Sequence, residues 1–233
     1  MLGLMQNRPL LISNIVDYVS TWHASTEIVS RDPQGVIHRS NYGEVTKRAR
    51  RLANALEKLG TKHGERVATL AWNSWRHLEL YYGVTCSGRV LHTVNPRLFQ
   101  EQLTYIMHHA EDSYVFFDLD FVGLVEQLAP HLPLVKGWVA LCDAKDMPKV
   151  NVKNLLCYET LLADASPDYE WPTFDENTAC TLCYTSGTTG NPKGVLYSHR
   201  STLLHAFAAC AADGMAFQAK DSILVIVPLF HAN

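Results

Sequence analysis

Ala179-Cys-Thr-Leu-Cys-Tyr-Thr-Ser-Gly-Thr-Thr-Gly-Asn-Pro-Lys-Gly-Val-Leu-Tyr-Ser198 places two apolar runs around a polar loop. Ala179 to Tyr184 reads as a strand, and Val195 to Ser198 as a second one. Between them, Tyr184 to Val195 carries three glycines, one lysine and four Ser/Thr hydroxyls in twelve residues. Glycine lets the backbone approach a ligand closely, and successive backbone N–H groups form an anion-binding concavity. Hydroxyls and a lysine add donors, so the loop reads as a phosphate cradle. It is not the Walker loop, in which G-x-x-x-x-G-K-[ST] leads directly into a helix. Here Asn191-Pro192 separates Gly190 from Lys193, and a strand follows. The loop therefore joins two strands as a hairpin does, with no helix dipole aimed at the phosphate.

Outward from the loop, Ser198 is an N-cap for a helix over Arg200 to Ala212. Ile223 to Asn233 reads as a buried strand, over 223–229, running into a loop. Upstream, strands and helices alternate. Arg66–Trp72, Arg89–Val94, Tyr114–Asp118 and Trp138–Cys142 read as strands. Trp75–Val84, Gln100–His109 and Phe121–Leu128 read as helices between them, and Asn154–Ala163 as a further short helix. This order predicts an α/β fold with a doubly wound, mostly parallel sheet flanked by helices. Nearer the N-terminus, Ile12–Trp22 reads as a helix and Val36–Arg39 as a short strand. Asn41 with Glu44 opens a helix in the manner of a capping box. Val45, Ala49, Leu52, Ala53, Leu56 and Leu59 form its apolar stripe, and Gly60 ends it. Lys47, Arg48, Arg50 and Arg51 lie off the stripe and read as a solvated face. Trp72, Trp75, Tyr81 and Tyr82 read as core.

The 233 residues are 47% hydrophobic and 18% charged, with net charge −3. That excludes a disordered chain and offers no basic footprint for nucleic acid. No apolar run reaches the roughly 18 residues of a membrane-spanning helix, and the N-terminus lacks a secretory h-region. The six cysteines are irregularly spaced, which argues for reduced thiols and a cytoplasmic setting. Cys180 and Cys183 are formally C-x-x-C, but on a strand they face opposite ways and have no second pair at zinc spacing.

Thr185-Ser-Gly-Thr-Thr-Gly-Asn-Pro-Lys-Gly194 resembles the signature loop of the adenylate-forming superfamily. That superfamily comprises acyl- and aryl-CoA synthetases, peptide-synthetase adenylation domains and beetle luciferases. Asn41-Tyr-Gly-Glu-Val45, Gly64-Glu-Arg-Val-Ala68, Asn95-Pro-Arg-Leu98 and Pro228-Leu-Phe-His231 resemble further family motifs in family order. Leu182-Cys-Tyr-Thr-Ser186 and Tyr197-Ser-His-Arg200 are most similar to the medium- and long-chain fatty-acyl-CoA ligases. That branch includes the 3-methylmercaptopropionyl-CoA ligases.

The resemblance implies two steps: a carboxylic acid reacts with ATP to give an acyl-adenylate and pyrophosphate, and CoA then displaces AMP. It implies ATP, Mg²⁺ and CoA as cofactors and co-substrates, and a fatty or small carboxylic acid as partner. Homodimers are frequent in this branch. Thr185, Ser186, Gly187, Thr188, Thr189, Gly190 and Lys193 would hold the nucleotide phosphates, Thr185 also meeting the Mg²⁺. His231 would stand near the reacting carboxylate, as the catalytic histidine. Tyr184 and the helix from Ser201 read as packing. The later motifs Y-G-x-T-E and Y-x-T-G-D are absent. The expectation is therefore that residues 1–233 are the N-terminal portion of the AMP-binding domain, without the rest of that domain or the small C-terminal domain, and inactive alone. Three other readings stay open: a Walker-type NTPase, an adenylating enzyme with another acceptor or an aryl substrate, and a truncated, non-catalytic binding or assembly module.

Overall fold

The computed structural model describes residues 1, 3–32, 35–185 and 191–231. Helix α1 (Ile12–Trp22) precedes a two-stranded antiparallel sheet of β1 (Glu27–Arg31) and β2 (Ile37–Asn41). Helix α2 (Tyr42–Lys58) follows at once, because the Asn41 side chain accepts the Glu44 N–H (2.9 Å) and caps the first turn. Gly60, at φ +76°, takes the left-handed position that ends it.

From there strands and helices alternate: β3 (Arg66–Leu70), α3 (Trp75–Cys86), β4 (Val90–Thr93), α4 (Gln100–His109), β5 (Tyr114–Phe117), α5 (Val122–Leu128) and β6 (Gly137–Ala140). Then come β7 (Leu155–Cys157), α6 (Tyr158–Ala163), β8 (Ala179–Thr185), β9 (Lys193–Ser198) and α7 (His199–Cys210). The larger sheet has the order β7-β6-β5-β3-β4-β8-β9. All its pairings are parallel except β8 with β9.

Alternation along the strands sorts the core into two layers. Ala68, Leu70, Val115, Phe117 and Trp138 pack under α4 and α5, through Leu103, Ile106, Met107, Val125 and Leu128. Val67, Leu91, Phe116 and Val139 face the other way, onto Leu52, Leu56, Leu80, Val84 and Tyr158 of α2, α3 and α6. Helices α2 and α3 come close at Gly83, where a Cβ would lie 2.7 Å from Leu52 Cδ2.

Four expectations are corrected. Asn154–Ala163 is not one helix: Leu155–Cys157 pairs with β6 as the edge strand β7, and the helix begins at Tyr158. Residues 223–227 form no strand, and their side chains are 54–82% exposed. An apolar run becomes a strand only against a partner edge, and among the described residues none reaches it. Trp72, Trp75, Tyr81 and Tyr82 lie at the margin of the core, none of them fully buried, though Trp72 and Tyr81 pack against it.

The arginine face of α2, finally, is paired rather than solvated. Arg48 Nε donates to Glu79 (2.7 Å), and its two Nη atoms grip Glu159 (both 3.0 Å). Arg50 pairs with Asp17 (2.7 Å), and Arg51 donates to the Leu162 and Ala165 carbonyls.

No helix among the described residues is long and apolar enough to cross a membrane.

Candidate functional site

The sheet winds outward from β3 in both directions, since β4 lies on one side of it and β5 on the other. The loops leaving β3 and β4 therefore diverge and leave a crevice at the carboxyl ends of the strands. In open α/β sheets ligands bind at such a switch point. Strand β8 lies next to β4, so its loop opens onto the same edge.

The residues expected to hold phosphate divide at the limit of what is described. Thr185 closes β8 and Lys193 opens β9, and the two are direct cross-strand partners. Both are exposed, whereas Pro192 is buried. Ser186, Gly187, Thr188, Thr189 and Gly190 lie outside the described residues. The root of the loop is thus an antiparallel hairpin, and the next helix starts only at His199. There Ser198 Oγ accepts the Ser201 N–H (3.1 Å).

Tyr184 anchors that root. Its hydroxyl bonds His109 Nδ1 (2.7 Å), its ring leans on His92 (5.2 Å between centroids), and burial pushes its pKa up to about 12. Gly194 lies against the same ring, where a Cβ would meet Cζ at 3.2 Å. Behind it, the fully buried His92 bonds Asp112 through Nδ1 (2.8 Å). Tyr184 was read as packing, and it does pack, but with a polar tie to α4. Helix α7, also read as packing, buries only His199 and Leu203 and leaves Leu204 and Phe207 exposed.

His231 sits two strands away from the loop, at the exit of β3. Strand spacing puts β3 and β8 about 10 Å apart. His231 is exposed, and its N–H closes a turn onto the Pro228 carbonyl (3.0 Å). Phe230 beside it is 3% exposed and packs on Trp72 (5.9 Å). The Arg97 guanidinium lies 5.8 Å from both rings. Asn73 holds the preceding residues through its side-chain amide. The sequence reading assigned roles to the loop and to His231 but none to Asn73, Trp72 or Arg97. The available signal was position: a short polar loop at the carboxyl end of a central strand.

Trp72 is itself tied to β5, its N–H donating to Asp118 (2.7 Å) and its indole N–H to Asp120 (3.0 Å). Burial pushes the Asp118 carboxyl up to about 6. A carboxyl that titrates higher folded than unfolded binds protons more tightly in the native state. Its contribution is present at low pH and is lost as pH rises through the folded value. Against an unfolded value near 3.9, the loss between pH 4 and 7 is about 2 kcal/mol. Asp118→Asn keeps an acceptor for the Trp72 N–H and should abolish this slope in urea unfolding across that range. Parallel pH profiles for the two proteins would contradict the assignment.

A cleft of about 1090 Å³ opens beside β5 and β6. Arg39, Arg48 and Arg76 line it but are already paired with Glu27, Glu79, Glu159 and Asp143. It also carries Lys145 beside Asp32, Glu44, Asp118 and Asp146, so carboxylates outnumber the basic groups of its lining. Among the described residues no group of three or more His, Cys, Asp or Glu side chains is placed to hold a metal ion.

A strand–loop–strand hairpin at a switch point, with the Pro228–His231 segment returning to the same edge, is a specific combination. The family profile described as AMP-binding enzyme matches residues 20–233. The chain belongs to the AMP-binding enzyme family. Over all 233 residues it is 48% identical to the 3-methylmercaptopropionyl-CoA ligase of Ruegeria lacuscaerulensis and 46% identical to the medium-chain-fatty-acid–CoA ligase of Ectopseudomonas oleovorans. It spans 43% of the length of each of these relatives. The red-emitting luciferase of Phrixothrix hirtus shares the fold, with a TM-score of 0.81 at 20% identity over 97% of this chain and 44% of that one.

Proposed function

We propose that this chain is the phosphate-gripping part of an AMP-forming acid–CoA ligase for a medium- to long-chain or related small carboxylic acid. The observation that carries this reading is the pairing of Thr185 with Lys193 at the root of an antiparallel hairpin, opening beside the switch point. A Walker-type NTPase needs a helix where β9 stands, which disfavours that alternative.

In this reading the carboxylate oxygen attacks the α-phosphorus of ATP, and the bond to pyrophosphate breaks. The thiol of CoA then attacks the acyl carbonyl, and AMP leaves. Both steps shift charge on phosphate, so positioned cations and N–H donors are the main catalytic resource. Lys193 serves as a point charge on the outer phosphates. The residues from Ser186 to Gly190 supply donors from outside the described set. Mg²⁺ prefers six oxygen ligands and arrives with phosphate and water. The Thr185 hydroxyl is an oxygen donor suited to one of those positions and is no site by itself. His231, at the exit of β3, orients the reacting carboxylate or offsets its charge. The cytoplasm, where thiols stay reduced, suits the six free cysteines. Assembly as a homodimer is part of the same proposal.

The test supplies the protein, as its gene encodes it, with Mg·ATP, CoA and a panel of aliphatic and aryl acids. An acyl-CoA from an aliphatic acid is expected, and residues 1–233 alone should form none. Thioester from aryl acids only, or none from any acid, would overturn the substrate class or the activity respectively.

A further inference from the structure

Residues 223–227 have no strand partner among the described residues, yet the segment that follows them into Pro228-Leu-Phe-His231 is fixed in place. One side chain makes three of the hydrogen bonds that fix it. Asn73 Nδ2 donates to the carbonyls of Val225 (3.1 Å) and Val227 (2.9 Å), and Asn73 Oδ1 accepts the Leu229 N–H (2.8 Å). A carboxamide has two N–H donors and one carbonyl acceptor, and here all are engaged. They meet alternate residues 225, 227 and 229, the spacing at which a neighbouring strand would bond. Further along, the Tyr81 hydroxyl donates to the Leu229 carbonyl. Phe230 then closes against Trp72 and Arg97.

Asn73 has no other evident task. Helix α3 is capped by its neighbour Ser74, whose Oγ accepts the His77 N–H (3.2 Å). The chain turn between β3 and α3 is held by Trp72 on Asp118. Among the described residues the amide serves only the distant segment, which it meets 152 to 156 residues away in sequence. Aspartate has the same shape but lacks donors, and it would set a negative charge against two carbonyl oxygens.

We propose that Asn73 is a positioning residue for His231: it sets the backbone of 225–229, and so the place of the imidazole at the switch-point crevice. The inference rests on the proposed reading that His231 meets the reacting carboxylate.

A double-mutant cycle tests it in the protein as its gene encodes it. The readout is acid-dependent exchange between pyrophosphate and ATP, for wild type, Asn73→Ala, Asn73→Asp, His231→Ala and the two double variants. Misplacing a reacting group by about 1 Å can cost 10²-fold. Both Asn73 variants should therefore lower kcat by roughly 10- to 100-fold. The KM for ATP should stay within about twofold, because the phosphate loop is untouched. In the His231→Ala background the same changes should cost less than about twofold, as coupled residues require. Multiplicative losses, or a raised KM with unchanged kcat, would overturn the role of Asn73 and leave that of His231 standing. Exchange indifferent to His231→Ala, or absent in the wild type, would instead overturn the underlying reading and the role of Asn73 with it. An Asn73→Asp protein without a cooperative unfolding transition would also refute the proposal, since Asn73 would then be holding the domain and not the histidine.

Discussion

Lys193→Ala should lower kcat/KM for Mg·ATP in acid-dependent pyrophosphate exchange by about 10²-fold, the usual loss for a preorganised donor at a charged transition state. Lys193 is exposed at the first position of β9, and its side chain makes no hydrogen bond or ion pair among the described residues. The lost charge therefore has no structural partner to leave behind, and the thermal midpoint should stay within a degree or two. Thr185→Ala, across the hairpin, should weaken ATP use in the same direction and by less, since it removes a neutral oxygen. Exchange kinetics unchanged in both variants would remove the loop from the nucleotide site.

Arg48→Met should cost about 3 to 5 kcal/mol of folding stability, the loss typical when one partner of a buried ion pair is removed. Glu79 is the group left exposed to that loss. Its side chain is 1% exposed, and apart from Arg48 its hydrogen bond comes from the Tyr158 hydroxyl (2.8 Å). Burial already raises the Glu79 pKa, and the Arg48 bond opposes that rise. Without Arg48 the folded value moves further above the unfolded one. Stability is then lost as pH rises between the two values, so the deficit of the variant should shrink as pH falls from 7 towards 5. Urea unfolding at both pH values measures this. Adding Glu79→Gln should restore much of the loss at pH 7. A deficit under about 1 kcal/mol, or one independent of pH, would show that the pair contributes little.

The parallel α/β core was legible because its signals are local. Gln100–His109 has the same limits in sequence and structure, and the Asn41 cap and Gly60 stop frame α2 as read. What escaped depends on distant partners. Leu155–Cys157 is a three-residue apolar run leading straight into Tyr158, and only its register with Trp138 to Ala140 makes it a strand. Short apolar runs do not distinguish strand from helix by periodicity. Arg48 of α2 looked solvated because the carboxylates it meets come from α3 and α6, 31 and 111 residues on.

The site shows the same division. Thr185 and Lys193 are joined by the hairpin itself, so their juxtaposition follows from sequence. The hold of Asn73 on residues 225–229 does not, since it bridges more than 150 positions. Ile223 to Val227 is the converse case. Its composition is that of a core strand, but burial is a property of the surroundings, and here the run lies exposed.

Hairpin or Walker loop, acyl-adenylate or phosphoryl transfer: the phosphorus products distinguish these alternatives in one measurement. The protein as its gene encodes it is incubated with Mg·ATP, CoA and an eight- to twelve-carbon acid, and the products are resolved by phosphorus NMR. AMP and pyrophosphate, in equal amounts and dependent on the acid, are the expected result. ADP and orthophosphate would contradict the assignment of the Thr185–Lys193 hairpin to adenylate formation.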